Sequence, residues 1–238
     1  MGNQSELKKL AAHQAVEFVE SGMIVGLGTG STTKFAIERI ATLLNNGQLK
    51  NIAGIPSSNA TKDLANLLGI PLTSLNEHPQ IDITIDGADE VDQNLNLIKG
   101  GGGALLREKV LAQASKRNTI IVDNTKISEY LGEKWPVPVE VFPLARQVET
   151  NFLVALGATV KLRRNKDGSI FFTDQENIIL DANFGIIHDP DKIASSLNQR
   201  AGIAGHGLFI RLATTVIVAT KDGIQILPKN KNIELENA

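Results

Sequence analysis

The chain has 238 residues, with 24 Lys and Arg against 26 Asp and Glu, a formal net charge of −2, no Cys and 21 Gly. That length supports a core able to fold without covalent staples, and the lack of Cys excludes a disulfide framework, a Cys-based zinc site and a thiol nucleophile. Balanced charge and 4% aromatic residues leave no basic footprint and little stacking surface for nucleic acid.

Residues 1–20 carry charged or amide side chains every few positions and no apolar core of a signal peptide. Met1-Gly2 lacks the hydroxyl residue of a myristoylation signal, because Glu6 stands there. No run approaches 18 apolar residues. A cytoplasmic protein without a membrane partner is expected. Residues 7–20 then show a helical apolar stripe, and 23–27 form a short strand ending in Gly28-Thr29-Gly30-Ser31-Thr32. Residues 35–44 are helical, 52–55 a strand, and 60–68 a helix closed by Gly69. Residues 81–85 are a strand running into Asp86-Gly87-Ala88-Asp89. Four glycines, 100–103, precede a helix over 104–115, and 119–122 is another buried strand. Strands alternating with helices predict an α/β fold with a doubly wound, mostly parallel, Rossmann-like sheet.

The texture changes at Trp135-Pro136-Val137-Pro138, which reads as a boundary. Beyond it come a helix over 148–156, a hairpin of strands 159–162 and 169–173 around Asn165-Lys166-Asp167-Gly168, a strand over 178–182 and a helix over 190–197. This is a smaller α+β, ferredoxin-like second domain. Strands 214–219 and 224–227 form a final hairpin returning to the first sheet, and the tail from Lys229 reads as polar and loose. The expected division is 1–132 plus 208–238 for the main domain and 133–207 for the small one.

Three loops could carry chemistry. The first, Gly26-Leu27-Gly28-Thr29-Gly30-Ser31-Thr32, joins a strand to a helix. Glycines let backbone approach a ligand, and N–H groups at the helix start together with hydroxyls suit a phosphate. The dinucleotide fingerprint fails, since its third glycine falls on Ser31 or Thr33 and residues 47–55 hold no acid for a ribose. The P-loop fails because no glycine precedes Lys34. The plain alternative is a tight turn. The second, Asp86-Gly87-Ala88-Asp89-Glu90-Val91-Asp92, sets four carboxylates after a strand end, where open sheets bind ligands. Crowded acids raise one another's pKa and suit acid–base work or sugar hydroxyls. A solvated turn and a divalent-metal site are the alternatives, although the EF-hand pattern is missing.

The third loop is Lys99-Gly100-Gly101-Gly102-Gly103, followed by Ala104-Leu105-Leu106-Arg107-Glu108-Lys109. Such glycines are tolerated where backbone must lie against something, and a flexible linker is the alternative. Lys99 adds a point charge. Glu108 falls in the first turns of a helix, where the macrodipole favours the ionised form a base needs. Asp123-Asn124-Thr125-Lys126 could bring Lys126 to the same edge or form a solvated turn. His13, His78, His188 and His206 sit in unrelated contexts and read as structural or exposed. The run 161–166, KLRRNK, reads as a solvated hairpin face. Together these loops offer a phosphate cradle, paired carboxylates, a lysine among glycines and a separate glutamate. That set fits proton transfer beside a carbonyl in a phosphorylated small molecule.

At these motifs, with Pro138-Val139-Glu140-Val141 and Asn177-Ile178-Ile179-Leu180-Asp181, the chain resembles the type A ribose-5-phosphate isomerase family over nearly its whole length. The resemblance implies interconversion of D-ribose 5-phosphate and D-ribulose 5-phosphate in the pentose phosphate pathway. It also implies no metal or other cofactor, and a homodimer or homotetramer. It makes Glu108 the proton acceptor. Thr29, Gly30, Ser31, Thr32, Asp86, Gly87, Ala88, Asp89, Lys99, Gly100, Gly101, Gly102 and Lys126 become substrate contacts, with Lys8 reaching the phosphate. Gly103 stands where Ala is also acceptable. The expected chemistry is ring opening by Asp86 or Asp89, then proton transfer by Glu108 through a cis-enediolate steadied by Lys99. The rival readings are a non-catalytic sugar-phosphate sensor and a transferase using Glu108 as nucleophile, which would want a larger cofactor site.

Overall fold

The structure, a computed structural model, describes residues 2–228, and the tail read from Lys229 lies outside them. Its first half runs α1 (Gly2–Val16), β1 (Ile24–Leu27), α2 (Ser31–Asn45), β2 (Ala53–Pro56), α3 (Asn59–Leu67), β3 (Ile81–Asp86), β4 (Glu90–Val91), β5 (Leu97–Ile98), α4 (Leu105–Ala114) and β6 (Ser115–Asp123). There follow β7 (Val137–Val141), α5 (Arg146–Ala155), β8 (Thr159–Leu162), β9 (Ile178–Asn183), α6 (Pro190–Asn198), β10 (Ile203–His206), β11 (Leu208–Phe209), β12 (Thr215–Thr220) and β13 (Gly223–Pro228).

Alternation along the strands explains the main layers. In β6 and β12, Ile121, Ile217 and Ala219 join Val25, Leu27, Ile83 and Ile85 under α1 and α2. Their neighbours Ile120, Val122, Val216 and Val218 face the other way, onto Leu97 and Phe209 of a small sheet ordered β11-β5-β4. Strands buried on both faces need such unbroken apolar runs. Each fully buried Ile or Leu contributes roughly 1.5–3 kcal/mol. The sheet order is β13-β12-β6-β3-β1-β2, parallel throughout except for β13, which returns antiparallel on β12. From β1 the chain moves to β2 on one side and then back to β3 on the other. That reversal opens a crevice at the carboxyl ends of β1 and β3, where ligands bind in such sheets.

A second, antiparallel sheet, β10-β7-β9-β8, packs through Val137, Val139, Val141, Leu180 and Ala182 onto a core shared with α5 and α6. The proline-rich stretch also holds a strand that the sequence reading did not expect. Val137–Val141 is an interior strand with Pro138 inside it, and the Pro138 carbonyl accepts from the Gly207 N–H at 2.7 Å. Residues 169–173 make no strand. They contribute two isolated bridges, Arg164 with Ile170 and Phe172 with Ile178, and β8 pairs with β9 instead. The strand expected at 119–122 starts at Ser115, directly after α4, with its exposed first turn of sequence carrying Lys116 and Arg117. No helix among the described residues is long and apolar enough to cross a membrane.

Candidate active site

The site begins where β1 meets β3. A Cβ on Gly28 would lie 2.2 Å from Asp86 Oδ1, so this glycine serves strand–carboxylate packing and not ligand approach. With it absent, the N–H groups of Thr29 (3.1 Å) and Gly87 (2.8 Å) both donate to Asp86 Oδ1. Gly30, at φ +123°, turns the chain into α2. Ser31 opens that helix, and its Oγ accepts from Lys8 Nζ on α1 at 3.1 Å. A helix start, a hydroxyl and an ammonium thus converge as an anion cradle. The Thr29 hydroxyl points elsewhere, to Ser57 (2.7 Å), Ser58 (2.8 Å) and Thr61 (3.2 Å) in the β2–α3 loop. Ser58 caps α3 by accepting from the Thr61 N–H, and Thr61 donates to the Gly28 carbonyl at 2.9 Å. This hydroxyl cluster escaped the sequence reading. Its one signal was a serine pair at a third strand end.

Lys99 follows β5 and is 3% exposed. Its Nζ donates to the Gly87 carbonyl at 2.5 Å and stands 3.1 Å from both Asp86 Oδ2 and Glu108 Oε2. Burial opposes the ammonium charge, but Asp86, then Glu108 and Asp89, outweigh it and hold Lys99 above the usual lysine range. Glu108 sits in the first turn of α4, and its Oε2, though close to the ammonium, has no hydrogen-bond partner. Burial first, and Asp86 second, push its carboxyl up to about 8 against the pull of Lys99. The expected helix-dipole preference for ionised Glu108 is therefore overturned: two buried carboxylates share one ammonium, and desolvation outweighs the macrodipole. Asp89 is half-buried, and its Oδ2 accepts from the Gly101 N–H at 2.7 Å. Lys126 lies in a short turn after β6, its Nζ 5.0 Å from the Trp135 ring centre.

These groups surround one cleft of about 150 Å3. It is lined by Lys8, Thr29, Gly30, Ser31, Thr32, Gly87, Ala88, Asp89, Lys99, Gly100, Gly101, Gly102, Glu108 and Lys126, together with Thr33. Asp86 is absent from the lining. It is 2% exposed and lies behind Lys99, with Oδ1 held by two N–H groups and Oδ2 facing the ammonium. Arg163 corrects the reading of 161–166 as a solvated face. Its side chain pairs with Asp181 and donates to the Gly100 carbonyl at 2.7 Å and the Gly101 carbonyl at 3.2 Å. At Gly103, with φ +84° and Phe171 Cζ 2.5 Å from an added Cβ, the alanine taken as acceptable would sit on strained backbone and need the Phe171 ring to shift. His206 lies outside the cleft, buried between Lys109 and Asn198. The cleft joins an anion cradle to a buried carboxyl poised near neutral pH, an ammonium beside it and glycine N–H groups. It can hold a small phosphorylated molecule and move a proton on it.

Residues 53–223 match the family model for ribose 5-phosphate isomerase A (phosphoriboisomerase A). Over 225 residues the chain is 59% identical to the ribose-5-phosphate isomerase A of Desulfatibacillum aliphaticivorans, covering 94% of this chain and 98% of that one. A solved ribose 5-phosphate isomerase from Plasmodium falciparum superposes with a TM-score of 0.92 at 41% identity, covering 95% of this chain and 99% of that one. A solved D-ribose-5-phosphate isomerase in complex with phospho-erythronic acid also gives 0.92, at 40% identity, covering 94% and 99%.

Proposed function

The chain belongs to the ribose 5-phosphate isomerase A family, and from that membership we propose that it interconverts D-ribose 5-phosphate and D-ribulose 5-phosphate with Glu108 as the base. The observation that carries the assignment is the Glu108 carboxyl, buried at the cleft, raised to about 8 and 3.1 Å from Lys99 Nζ. Lys8, Gly30, Ser31, Thr32 and the start of α2 take the phosphate, with Lys126 also on the cleft wall. Gly87 and Ala88 keep the wall low enough for the sugar to reach Asp89. Asp89 faces the cleft and opens the furanose by exchanging a proton between the anomeric hydroxyl and the ring oxygen. Asp86, sealed behind Lys99, anchors the ammonium. Ionised Glu108 then removes the C2 proton, giving a cis-enediolate in which the O2 hydroxyl proton passes to O1, and returns its proton to C1, so one carboxyl serves two adjacent carbons on one face. Lys99 and the glycine N–H groups meet the developing oxyanion, a contribution of about 2.7–4 kcal/mol for one such donor. The phosphate cradle supplies remote binding energy for positioning.

The sensor alternative finds no support, since the matched relatives are isomerases. The same reading places the enzyme in the cytoplasm as a homodimer or homotetramer. Leu144, 93% exposed, and Val148 leave apolar side chains uncovered at the start of α5, which supports self-association. It also takes 1–132 plus 208–238 as the catalytic unit and 133–207 as the small one. Ribose 5-phosphate turned over in D2O tests the function, with and without a chelator. The expected result is ribulose 5-phosphate carrying solvent deuterium, unchanged by the chelator. Binding with neither turnover nor exchange would overturn the proposal, and loss of activity on chelation would overturn its metal-free form.

A further inference from the structure

Arg163 stands one residue beyond β8 of the second sheet, yet its guanidinium ends on the glycine loop between β5 and α4. It is fixed before it arrives there. Nε donates to Asp181 Oδ2 at 3.0 Å, Nη2 pairs with Asp181 Oδ1, and the guanidinium lies 5.9 Å from the Phe171 ring centre. The side chain is 14% exposed. Asp181 takes one edge of the fork, leaving Nη1 to the carbonyls of Gly100 (2.7 Å) and Gly101 (3.2 Å). Only a planar, multiply donating cation serves both tasks at once.

The consequence follows from peptide geometry. In a trans peptide the C=O and the next N–H point in opposite directions. The unit joining Gly100 to Gly101 is held at both ends, its oxygen by Arg163 and by the Gly103 N–H at 3.0 Å across the turn, and its N–H by Asp89 Oδ2 at 2.7 Å. The next unit has its oxygen on Arg163 and its N–H, that of Gly102, directed away from Arg163. Among the described residues that N–H has no hydrogen-bond partner, and Gly102 lines the cleft. The unit joining Gly101 to Gly102 is therefore the one whose orientation rests on Arg163, since glycines bring no side chains to choose between flipped peptides.

We infer that Arg163 is a positioning residue for the reaction: by holding the Gly101 carbonyl it aims the Gly102 N–H at the enediolate oxygen. It touches no reacting atom. The inference rests on the isomerase reading and asks for a transition-state effect in place of a ground-state one. The phosphate cradle is built from other elements and is unaffected.

The test compares Arg163→Ala and Arg163→Lys with the parent and with Arg164→Ala, whose exposed guanidinium donates to the Gly168 carbonyl and not to the glycine loop. Kinetics are measured in both directions. Inhibition is measured with inorganic phosphate and with a phosphorylated sugar acid whose carboxylate mimics the enediolate. Misaiming one donor lowers kcat by roughly 10–100-fold in both Arg163 variants. KM and phosphate inhibition stay within about 3-fold, while the sugar acid weakens in step with kcat/KM. Guanidinium at millimolar concentration restores part of kcat in Arg163→Ala and does nothing for Arg163→Lys. Unchanged kcat in a folded variant overturns the inference. So does an equal loss of phosphate and sugar-acid binding, because that reports collapse of the whole cleft. If the parent itself fails to turn over ribose 5-phosphate, the functional reading falls instead, so the two failures are distinguishable.

Discussion

Glu108 Oε2 and Lys99 Nζ lie 3.1 Å apart, yet the carboxyl is held near 8 and not below its ordinary 4.5. The ammonium is shared with Asp86 and all three side chains are buried, so burial decides the balance. Free enzyme with ionised Glu108 is the reactive form. kcat/KM for ribose 5-phosphate is therefore expected to rise with pH and level off above about 8. The stability sign is opposite. A folded-state value above the unfolded one contributes stability that is complete below pH 4.5 and lost as pH rises through about 8. Glu108→Gln fixes the protonated shape. It should cut kcat by about 10²–10⁴-fold and be the more stable protein at pH 9. Activity profiles and thermal unfolding at pH 6 and pH 9 check both. Near-normal turnover by the Gln variant would remove Glu108 from the base role.

Lys99→Met removes the one cation between two buried carboxylates. Breaking a buried pair in this way costs about 3–5 kcal/mol, because the partners are left uncompensated. Protonation of Glu108 relieves the repulsion, so the penalty should shrink as pH falls and grow as it rises. Urea denaturation at pH 6 and pH 8.5 measures it. Kinetically, kcat should fall further than KM rises. A change confined to KM would make Lys99 a uniform binder.

Asp89 and Asp86 are three residues apart, but only Asp89 lines the cleft. Asp89→Asn should slow ribose 5-phosphate, which must open its furanose ring. It should spare D-erythrose 4-phosphate, whose C4 oxygen carries the phosphate and cannot close that ring. Asp86→Asn should slow both substrates, because it releases Lys99. Parallel turnover assays on the two aldoses decide the matter. Equal losses in the Asp89 variant would show that ring opening is not its task.

Much of this arrangement was legible before any coordinates. The runs in β6 and β12 announce strands covered on both faces, and the cleft residues other than Lys8 lie where a strand ends or a helix opens. What escaped depended on distant partners. Arg163 sits in a polar run that looks solvated, and its meaning comes from carbonyls about sixty residues earlier in the chain, 62 positions from Gly101. The raised carboxyl of Glu108 depends on burial, which a helix-position argument cannot supply. Gly28 looked like a ligand-facing glycine until the Asp86 side chain appeared against it. Pro138 hid β7, since proline inside a strand argues against one when the neighbouring strands are unknown. The two-residue strands β4, β5 and β11 are too short to show a period.

Gly102 and Gly103 are adjacent and chemically identical, and they should respond to alanine in opposite ways. A Cβ on Gly102 meets only Thr29 Cγ2 at 3.9 Å, an ordinary contact, and its backbone is not in the left-handed region. Gly102→Ala should fold with nearly the parent's stability while its methyl narrows the cleft, raising KM for ribose 5-phosphate and weakening inhibition by sugar acids. Gly103 stands at φ +84°, and its Cβ would fall 2.5 Å from Phe171 Cζ. Left-handed backbone costs an alanine about 1–2 kcal/mol, and the overlap adds about 1–3 kcal/mol. Phe171→Ala in the same chain removes the overlap but not the backbone strain. The Gly103→Ala loss should therefore be smaller when measured against Phe171→Ala than against the parent, without vanishing. Urea denaturation of the four proteins measures the coupling. A Gly103→Ala protein as stable as the parent would mean that Phe171 swings away freely and that the loop is not packed as described.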